Sequence, residues 1–218
     1  MYQALIFDLD GTLLDTITDI TIAINEALQK CGYSYSYDRE STKTLIGDGA
    51  DILVHRALRE KDGDVDAFNA LKAAYMPLYK AHQNDHTKAF DGMVETVKKL
   101  QERGVDLFIV SNKPDQLVLE VIPKHFPNGT FLEFHGNKEG DAVKPDPHLV
   151  NDILRKYGYD KDKVLYVGDS KPDVLTARNA GIDCAICTWG YGNYEDPILR
   201  SAKYHLNEVK ELLSLPVK

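Results

Sequence analysis

An apolar run followed at once by two acids two residues apart constrains this chain more than any other feature. Ala4-Leu5-Ile6-Phe7 predicts a buried strand, and Asp8-Leu9-Asp10 follows where that strand meets solvent. Side chains two residues apart on a strand point to the same side, so both carboxylates face one space. Gly11 then lets the chain turn away. Two acids this close need a cation between them, or one of them must keep its proton.

Such a pair suits Mg²⁺-assisted attack on phosphorus, with one carboxylate as the nucleophile and the other as the proton carrier. Taken alone, however, an Asp-x-Asp pair is more typical of a solvated acidic turn at the end of a strand. The rest of the chain has to decide between a phosphoryl-transfer site and an ordinary turn.

Composition bounds the class of protein. The chain has 218 residues, of which 43% are hydrophobic and 28% charged, as expected for one medium-sized globular domain or one domain with an insert. A net charge of −8 argues against a nucleic-acid or anionic-membrane surface. Short apolar runs predict no membrane span, and an acid as early as Asp8 predicts no signal peptide. Three cysteines, an odd number, argue against a disulfide framework. We expect a cytoplasmic monomer or homodimer.

From residue 88 onward, short apolar runs alternate with helical patterns. The predicted strands are 106–110, 131–134, 164–167 and 184–187, and the segments 204–206 and 208–213 finish the chain. The predicted helices are 93–103, 115–125, 146–157 and 173–180. Strands rich in Val, Ile and Leu that alternate with helices predict a parallel sheet covered on both faces. The fold class expected is therefore α/β, with a Rossmann-like core.

The segment between the first strand and this alternation has helical periodicity throughout. Ile17, Ile20 and Ile24 recur at helical spacing, and no convincing strand is present in residues 16–83. We therefore expect a core made of residues 1–15 and 84–218, with residues 16–83 forming an all-helical insert.

Polar clusters occur at or near four predicted strand ends, where open parallel sheets bind their ligands. In chain order they are Asp8 with Asp10, Ser111-Asn112-Lys113-Pro114, Lys144-Pro145-Asp146-Pro147 and Gly168-Asp169-Ser170-Lys171-Pro172-Asp173. Each cluster by itself is more typical of a turn, a helix cap or a solvated loop. All four in this order predict a single phosphoryl-transfer site.

These clusters contain the groups that such a site requires. Ser111 and Asn112 provide a hydroxyl and an amide as donors to phosphate oxygens, and Lys144 provides a positive charge. The carboxylates of Asp8 and Asp169 suit Mg²⁺, which needs few protein oxygens.

Two further groups complete the expected site. The backbone carbonyl of Asp10 is expected as a third metal ligand. Asp173 is expected to hold either a metal-bound water or the Lys144 ammonium.

This motif set resembles the haloacid dehalogenase superfamily of phosphohydrolases over nearly the whole chain. The helical insert resembles the C1-type cap of that superfamily, which closes over the site. Residues 46–58, 110–114 and 168–173 are most similar to bacterial phosphoglycolate phosphatases.

The resemblance implies a role for each matching residue: Asp8 as nucleophile, Asp10 as general acid/base, Ser111, Asn112 and Lys144 for phosphate, Asp8, Asp10 and Asp169 for the metal, and Thr12 and Asp173 in support. It implies an Mg²⁺-dependent phosphatase that forms an aspartyl-phosphate and acts on a small phosphorylated metabolite. The alternatives are a phosphomutase of the β-phosphoglucomutase type, a pyrophosphatase of the same family, and a catalytically silent binding module.

Residues that select the substrate are expected in the helical insert. Gly47 and Gly49 offer backbone donors and flexibility, and Arg56 is a candidate partner for a substrate carboxylate. The alternative for Arg56 is an ordinary solvated helix residue. Trp189-Gly190-Tyr191-Gly192, after the last major strand, is predicted to be a loop at the rim of the site.

Overall fold

The computed structural model describes residues 1–218 and contains a six-stranded sheet and a two-stranded ribbon. The strands are β1 (Ala4–Phe7), β2 (Leu14–Asp15), β3 (Lys88–Ala89), β4 (Asp106–Pro114), β5 (Glu133–Asn137), β6 (Val164–Gly168), β7 (Asp183–Cys187) and β8 (Tyr204–Leu206). The large sheet has the order β5-β4-β1-β6-β7-β8, and every neighbouring pair in it is parallel. The predicted α/β class with a parallel-sheet core is confirmed.

Nine α-helices accompany these strands. They are α1 (Ile17–Lys30), α2 (Arg39–Lys43), α3 (Ala50–Ala57), α4 (Val65–His82), α5 (Met93–Glu102), α6 (Asp115–His125), α7 (His148–Tyr157), α8 (Lys171–Ala180) and α9 (Pro197–Arg200). None of them combines the length and the apolar character that crossing a lipid bilayer would require.

The sheet is buried on both faces because successive side chains of its central strand enter two separate cores. Leu5 and Phe7 of β1 pack with residues of α5 and α6, whereas Ala4 and Ile6 pack with residues of α7 and α8. All four side chains are fully buried. This explains why β1 is a continuous apolar run rather than an alternating one.

Helices α1 to α4, which follow β1 and lie within the predicted helical insert, pack around a third hydrophobic core, to which Leu117 of α6 also contributes. The two segments that connect the helical insert to the rest of the chain contain β2 and β3. They lie side by side because these two strands pair antiparallel. The buried Asp19 carboxylate of α1 reinforces this junction by accepting hydrogen bonds from the main-chain N–H and the hydroxyl of Thr87, at 2.8 and 2.7 Å.

Several element boundaries differ from those predicted. Strand β4 continues to Pro114, and β5 begins at Glu133 rather than residue 131. Helix α7 begins at His148, because Asp146 precedes the helix and accepts a hydrogen bond from its first N–H at 2.9 Å. Helix α8 begins two residues early at Lys171, since a proline is well tolerated in a first helical turn. The short elements α2, α9, β2 and β3 were not predicted.

Candidate active site

The candidate site lies at the carboxyl ends of the three central strands of the large sheet. Strand β1 lies between β4 and β6, so the residues that follow these strands are neighbours in space. The helical insert covers this edge and encloses a cavity of about 200 Å³. The lining includes Asp8, Asp10, Ser111, Asn112, Lys113 and Asp169 from the sheet, and Gly47, Gly49, Tyr75 and Tyr79 from the insert.

A buried lysine lies between two buried acids at the base of the site. Lys144 Nζ is 2.8 Å from Asp8 Oδ1 and 2.7 Å from Asp173 Oδ1. Burial acts to lower the pKa of Lys144, but Asp173 and Asp8 together raise it well above its usual value, so the ammonium stays charged. Burial raises the pKa of Asp8 to about 7 against the opposing attraction of Lys144. The predicted contact between Asp173 and Lys144 is present.

Three buried carboxylates converge here. Oxygens of Asp8, Asp169 and Asp173 lie within 4.8 Å of one another, and the nearest ammonium that pairs with them is Lys144. Burial, together with repulsion from Asp173 and Asp8, raises the pKa of Asp169 well above its usual value. Three acids against one base leave an excess of negative charge that a cation would offset. An all-oxygen donor set of this kind fits Mg²⁺.

The three acids are not equally available to a cation. Asp173 Oδ2 accepts hydrogen bonds from the hydroxyl and N–H of Ser170, at 2.7 and 2.9 Å, and Asp173 Oδ1 contacts Lys144. Asp173 is thus committed to the protein, which agrees with a supporting position. Each oxygen of Asp169 accepts a single hydrogen bond and Asp8 pairs with Lys144 through Oδ1, so both carboxylates keep lone pairs for a cation. That Asp8 and Asp169 hold the metal stays a prediction.

Asp169 is held in place from two sides. Its Oδ1 accepts a hydrogen bond from the Thr12 hydroxyl at 3.3 Å, and its Oδ2 accepts one from the Tyr191 N–H at 2.7 Å. A Cβ atom on Gly11 would lie 2.5 Å from Asp169 Oδ2, so only glycine permits this approach. Thr12 thus contacts the carboxylate of Asp169, and its supporting role stays a prediction.

Asp10 stands apart from the carboxylate cluster. Its side chain lines the cavity, but its carboxylate is not among the three convergent acids. Asp10 Oδ1 is buried without a hydrogen-bond partner, and the nearest cation is Lys113 Nζ at 3.6 Å. No hydrogen bond within the protein therefore occupies this carboxylate oxygen.

The two predicted phosphate donors of β4 differ in their availability. Ser111 lines the cavity, and its hydroxyl oxygen accepts a hydrogen bond from the Lys113 N–H at 3.3 Å, which leaves the O–H free to donate. The Asn112 amide is already engaged: its Nδ2 donates to the carbonyl of Gly47 at 3.0 Å, and its Oδ1 accepts from the Lys144 N–H at 2.7 Å. That the Asn112 side chain binds phosphate stays a prediction; in the structure this side chain contacts the protein. It ties the insert to the Lys144 loop.

Of the insert residues predicted to select the substrate, some line the cavity and one does not. Gly47 and Gly49 line the cavity beside Asn112, as expected. Arg56 does not line it: the guanidinium pairs with Asp48 at 2.5 Å and donates to the carbonyl of Leu45 at 3.2 Å. The structure therefore does not bring Arg56 to the cavity, because α3 directs this side chain back onto its own preceding loop.

Sequence reasoning assigned no role to two residues that the structure brings into the site. Lys113 is buried at the cavity wall and contacts the Tyr79 hydroxyl of the insert. Tyr191 belongs to the loop predicted as a rim, yet its main chain holds Asp169. The sequence could have identified Lys113 as a site residue, since a lysine directly after Ser111-Asn112 at a strand end is a charged group at the predicted site. Nothing in the sequence identified Tyr191 in this way.

Comparisons with known proteins identify the family that this chain is similar to. A family model described as haloacid dehalogenase-like hydrolase matches residues 5–187. A phosphoglycolate phosphatase from Vibrio parahaemolyticus is 33% identical over 217 residues, which cover 96% of this chain and 93% of the relative. The phosphoglycolate phosphatase of Aliivibrio fischeri is 36% identical over 199 residues, covering 88% and 86%.

Solved structures extend the likeness to three dimensions. A predicted phosphoglycolate phosphatase from Haemophilus somnus superimposes with a TM-score of 0.89 at 27% identity, covering 98% of this chain and 97% of that one. The family model spans most of the chain, and the two relatives named above are matched over 93% and 86% of their lengths. On this evidence the chain belongs to the haloacid dehalogenase-like hydrolases and is a phosphatase.

Proposed function

We propose that this phosphatase hydrolyses a small phosphorylated metabolite through a covalent phosphate on Asp8. The observation that carries the proposal is the placement of the Asp8 carboxylate, buried at the cavity and 2.8 Å from Lys144 Nζ, with Asp10 only two residues further on. Nucleophile, charge partner and proton carrier are thereby gathered at one strand end.

The proposed reaction has two steps. In the first, an Asp8 oxygen attacks phosphorus, the bond from phosphorus to the ester oxygen breaks, and Asp10 gives its proton to the departing oxygen. In the second, water attacks the phosphorus of the aspartyl-phosphate, Asp10 takes the proton of that water, and the bond to Asp8 breaks to release phosphate. Asp10 suits both transfers because its Oδ1 has no hydrogen-bond partner in the protein.

Charge stabilisation is proposed to come from both sides of the phosphoryl group. Lys144 offsets the negative charge of the equatorial oxygens, and the Ser111 hydroxyl donates to one of them. Asp8 and Asp169, with the main-chain carbonyl of Asp10, are the proposed ligands of Mg²⁺, which supplies Lewis-acid charge neutralisation when bound.

The substrate proposed is phosphoglycolate or a close analogue, since the curated relatives carry the name phosphoglycolate phosphatase. The core groups named above meet only phosphate and metal, which all candidate esters share. Selection is therefore proposed to come from other groups that line the cavity, among them Gly47, Gly49, Tyr75 and Tyr79 of the insert. The phosphomutase and pyrophosphatase alternatives are not favoured by the relatives named above.

The division into a core (1–15 and 84–218) and a helical cap (16–83) is part of this proposal. Two adjacent connections, β2 and β3, suit a cap that opens to admit substrate. A cytoplasmic location and a monomeric or dimeric state stay predictions.

The decisive test is Asp8→Asn, assayed for phosphoglycolate hydrolysis and for covalent labelling. We expect no turnover and no protein-bound phosphate, whereas the wild-type protein quenched during turnover carries phosphate on Asp8 by peptide mass spectrometry. Asp162→Asn, at an exposed acid paired only with Lys163, is the matched control and keeps wild-type activity. Retained activity in Asp8→Asn, or phosphate trapped on another residue, contradicts the mechanism.

A further inference from the structure

Lys113 is a buried cavity residue that the proposed reaction does not use. Its side chain is 1% exposed, its Nζ lies 3.6 Å from Asp10 Oδ1, and the same nitrogen contacts the Tyr79 hydroxyl of α4. Burial lowers the pKa of Lys113, although Asp10 opposes this effect. An ammonium in such a place is costly unless it is paired.

The ammonium is only partly satisfied by the protein. It has three donors, and Tyr79 is its one hydrogen-bond partner in the structure. The 3.6 Å separation from Asp10 is too long for a hydrogen bond. Donor capacity therefore remains on the buried ammonium of a residue that lines the cavity.

The other cations near the cavity are engaged or exposed. Lys144 lies between Asp8 and Asp173, and Lys43 pairs with Glu40 at 2.8 Å. Lys171 is exposed. Arg56, the candidate that the sequence suggested, does not line the cavity and is paired with Asp48. Lys113 is thus the buried cavity cation with donors to spare.

Its position relative to the phosphate-binding end suits a short molecule. Ser111 and Lys113 both line the cavity and are two residues apart on β4, so their Cα atoms are at most about 7 Å apart. A two-carbon or three-carbon phosphate ester is therefore of a length that spans from one of these residues to the other.

We propose that Lys113 binds a second anionic group of the substrate, a carboxylate, and so selects phosphorylated acids over neutral phosphate esters. This inference rests on the proposed function. The surrounding acids give the selection its physical basis, because Asp8, Asp10 and Asp169 line the same cavity and repel a substrate carboxylate. Lys113 offsets that repulsion at one point, with Tyr79 holding the ammonium from the insert side.

The test compares two esters of equal chain length, phosphoglycolate and ethyl phosphate, which differ in a carboxylate. Lys113→Met keeps the length of the side chain and removes its charge. Because a hydrogen bond to a charged group contributes about 1.5–3 kcal/mol, the ratio of kcat/KM for phosphoglycolate to that for ethyl phosphate should fall about 10- to 100-fold. We expect the fall mainly in KM for phosphoglycolate, with partial rescue by Lys113→Arg.

The ratio distinguishes selection from other roles of Lys113. If the residue only orients Asp10 or supports the fold, both esters lose activity in parallel and the ratio stays constant, which overturns the inference. Arg56→Ala is the control and should change the ratio less than about twofold, because its guanidinium is committed to Asp48 and Leu45.

A binding measurement covers variants that turn over too slowly to assay. In the Asp8→Asn background, calorimetry should show that Lys113→Met weakens phosphoglycolate binding at least tenfold and ethyl phosphate binding much less. Equal weakening for both esters overturns the inference while the proposed function stands. If the wild-type protein hydrolyses neither ester, the proposed substrate class fails, and this inference fails with it.

Discussion

The main-chain N–H of Tyr191 donates a hydrogen bond to Asp169 Oδ2 at 2.7 Å, so one residue of a surface loop holds a proposed metal ligand. The phenol of the same tyrosine accepts from the N–H groups of Thr16 and Ile17, at 2.7 and 3.2 Å, and donates to Asp15 Oδ1 at 2.8 Å. Tyr191 thereby joins the base of the site to the first turn of the helical insert.

Tyr191→Phe should weaken that junction without creating a large cavity, because only the hydroxyl is removed. The change removes the acceptor of two N–H groups at the start of α1, which have no partner within the helix. We expect a loss of about 1–3 kcal/mol in the free energy of unfolding, and faster hydrogen exchange at residues 15–18. Urea denaturation and exchange mass spectrometry check both effects. The control is Tyr33→Phe, since the Tyr33 hydroxyl makes no hydrogen bond. Wild-type exchange protection at residues 15–18 would contradict the assignment.

Gly190→Ala tests how closely the same loop packs on the site. A Cβ atom there would lie 2.3 Å from the carbonyl oxygen of Gly11 and 2.5 Å from Asp169 Oδ2. Since backbone has to move, we expect about 1–3 kcal/mol of destabilisation and weaker Mg²⁺ binding. Gly129→Ala, with φ of +82° and nothing within 4 Å, is a matched control that costs about 1–2 kcal/mol by backbone strain alone. Unchanged Mg²⁺ affinity in Gly190→Ala would rule out this close packing.

Lys144→Met should lower the rate on the order of 10²-fold or more. The substitution removes the charge that lies 2.8 Å from Asp8 and is proposed to stabilise the transferring phosphoryl group. It also leaves Asp8 and Asp173 buried without their shared cation, so lower thermal stability is expected as well. Steady-state kinetics and thermal melts measure the two effects. Lys99→Met, at an exposed pair on α5, should change neither. A rate within about fivefold of wild type would refute the role.

Removal of the metal should stop the reaction. We expect no activity in excess chelator and full recovery on addition of Mg²⁺. Asp169→Asn should raise the Mg²⁺ dissociation constant about tenfold or more, measured by calorimetry, because one of the two available carboxylates is lost. Asp196→Asn, at a cavity acid that accepts a hydrogen bond from the Ile198 N–H, is the control and should bind Mg²⁺ normally. Full activity in chelator would exclude the proposed metal.

Acid stability should depend on Glu133. Hydrogen bonds from Lys156, Tyr157 and His135 lower the pKa of Glu133 from 4.5 to about 2. A carboxyl group with a depressed pKa stabilises the fold above its unfolded pKa and loses that contribution as the pH falls from about 4.5 to 2. Since the Lys156 side chain is largely exposed, the contribution expected is about 1 kcal/mol.

Denaturant titrations between pH 6 and pH 2 test this dependence. Glu133→Gln should be less stable than wild type at pH 6 and should lose less stability on acidification. Glu139→Gln, which removes a carboxylate without an ion pair, should follow the wild-type curve. Identical curves for Glu133→Gln and wild type would show that the hydrogen bonds to Glu133 contribute nothing.

The sheet and the position of the site were predictable because both depend on local patterns. A continuous apolar run such as Ala4–Phe7 is stable only where two faces are covered, and period two aims Asp8 and Asp10 to one side. Carboxyl ends of parallel strands meet at one edge, so the order of the clusters around Asp8, Ser111 and Asp169 was enough to predict their meeting. Short elements such as β2 and β3 were not predicted, since a strand of two residues shows no periodicity in the sequence.

What the sequence determined by itself was therefore the α/β fold class, the helical insert, and which acids, hydroxyl and lysine gather at the strand ends. Tertiary packing alone decided how each polar side chain is used. It directed Arg56 onto Asp48, engaged the Asn112 amide with the backbone, and buried Lys113 against Tyr79. The physical reason is that hydrogen bonds between residues distant in the chain, such as Tyr191 and Asp169, depend on how the loops pack. The spacing of residues along the sequence does not predict that packing.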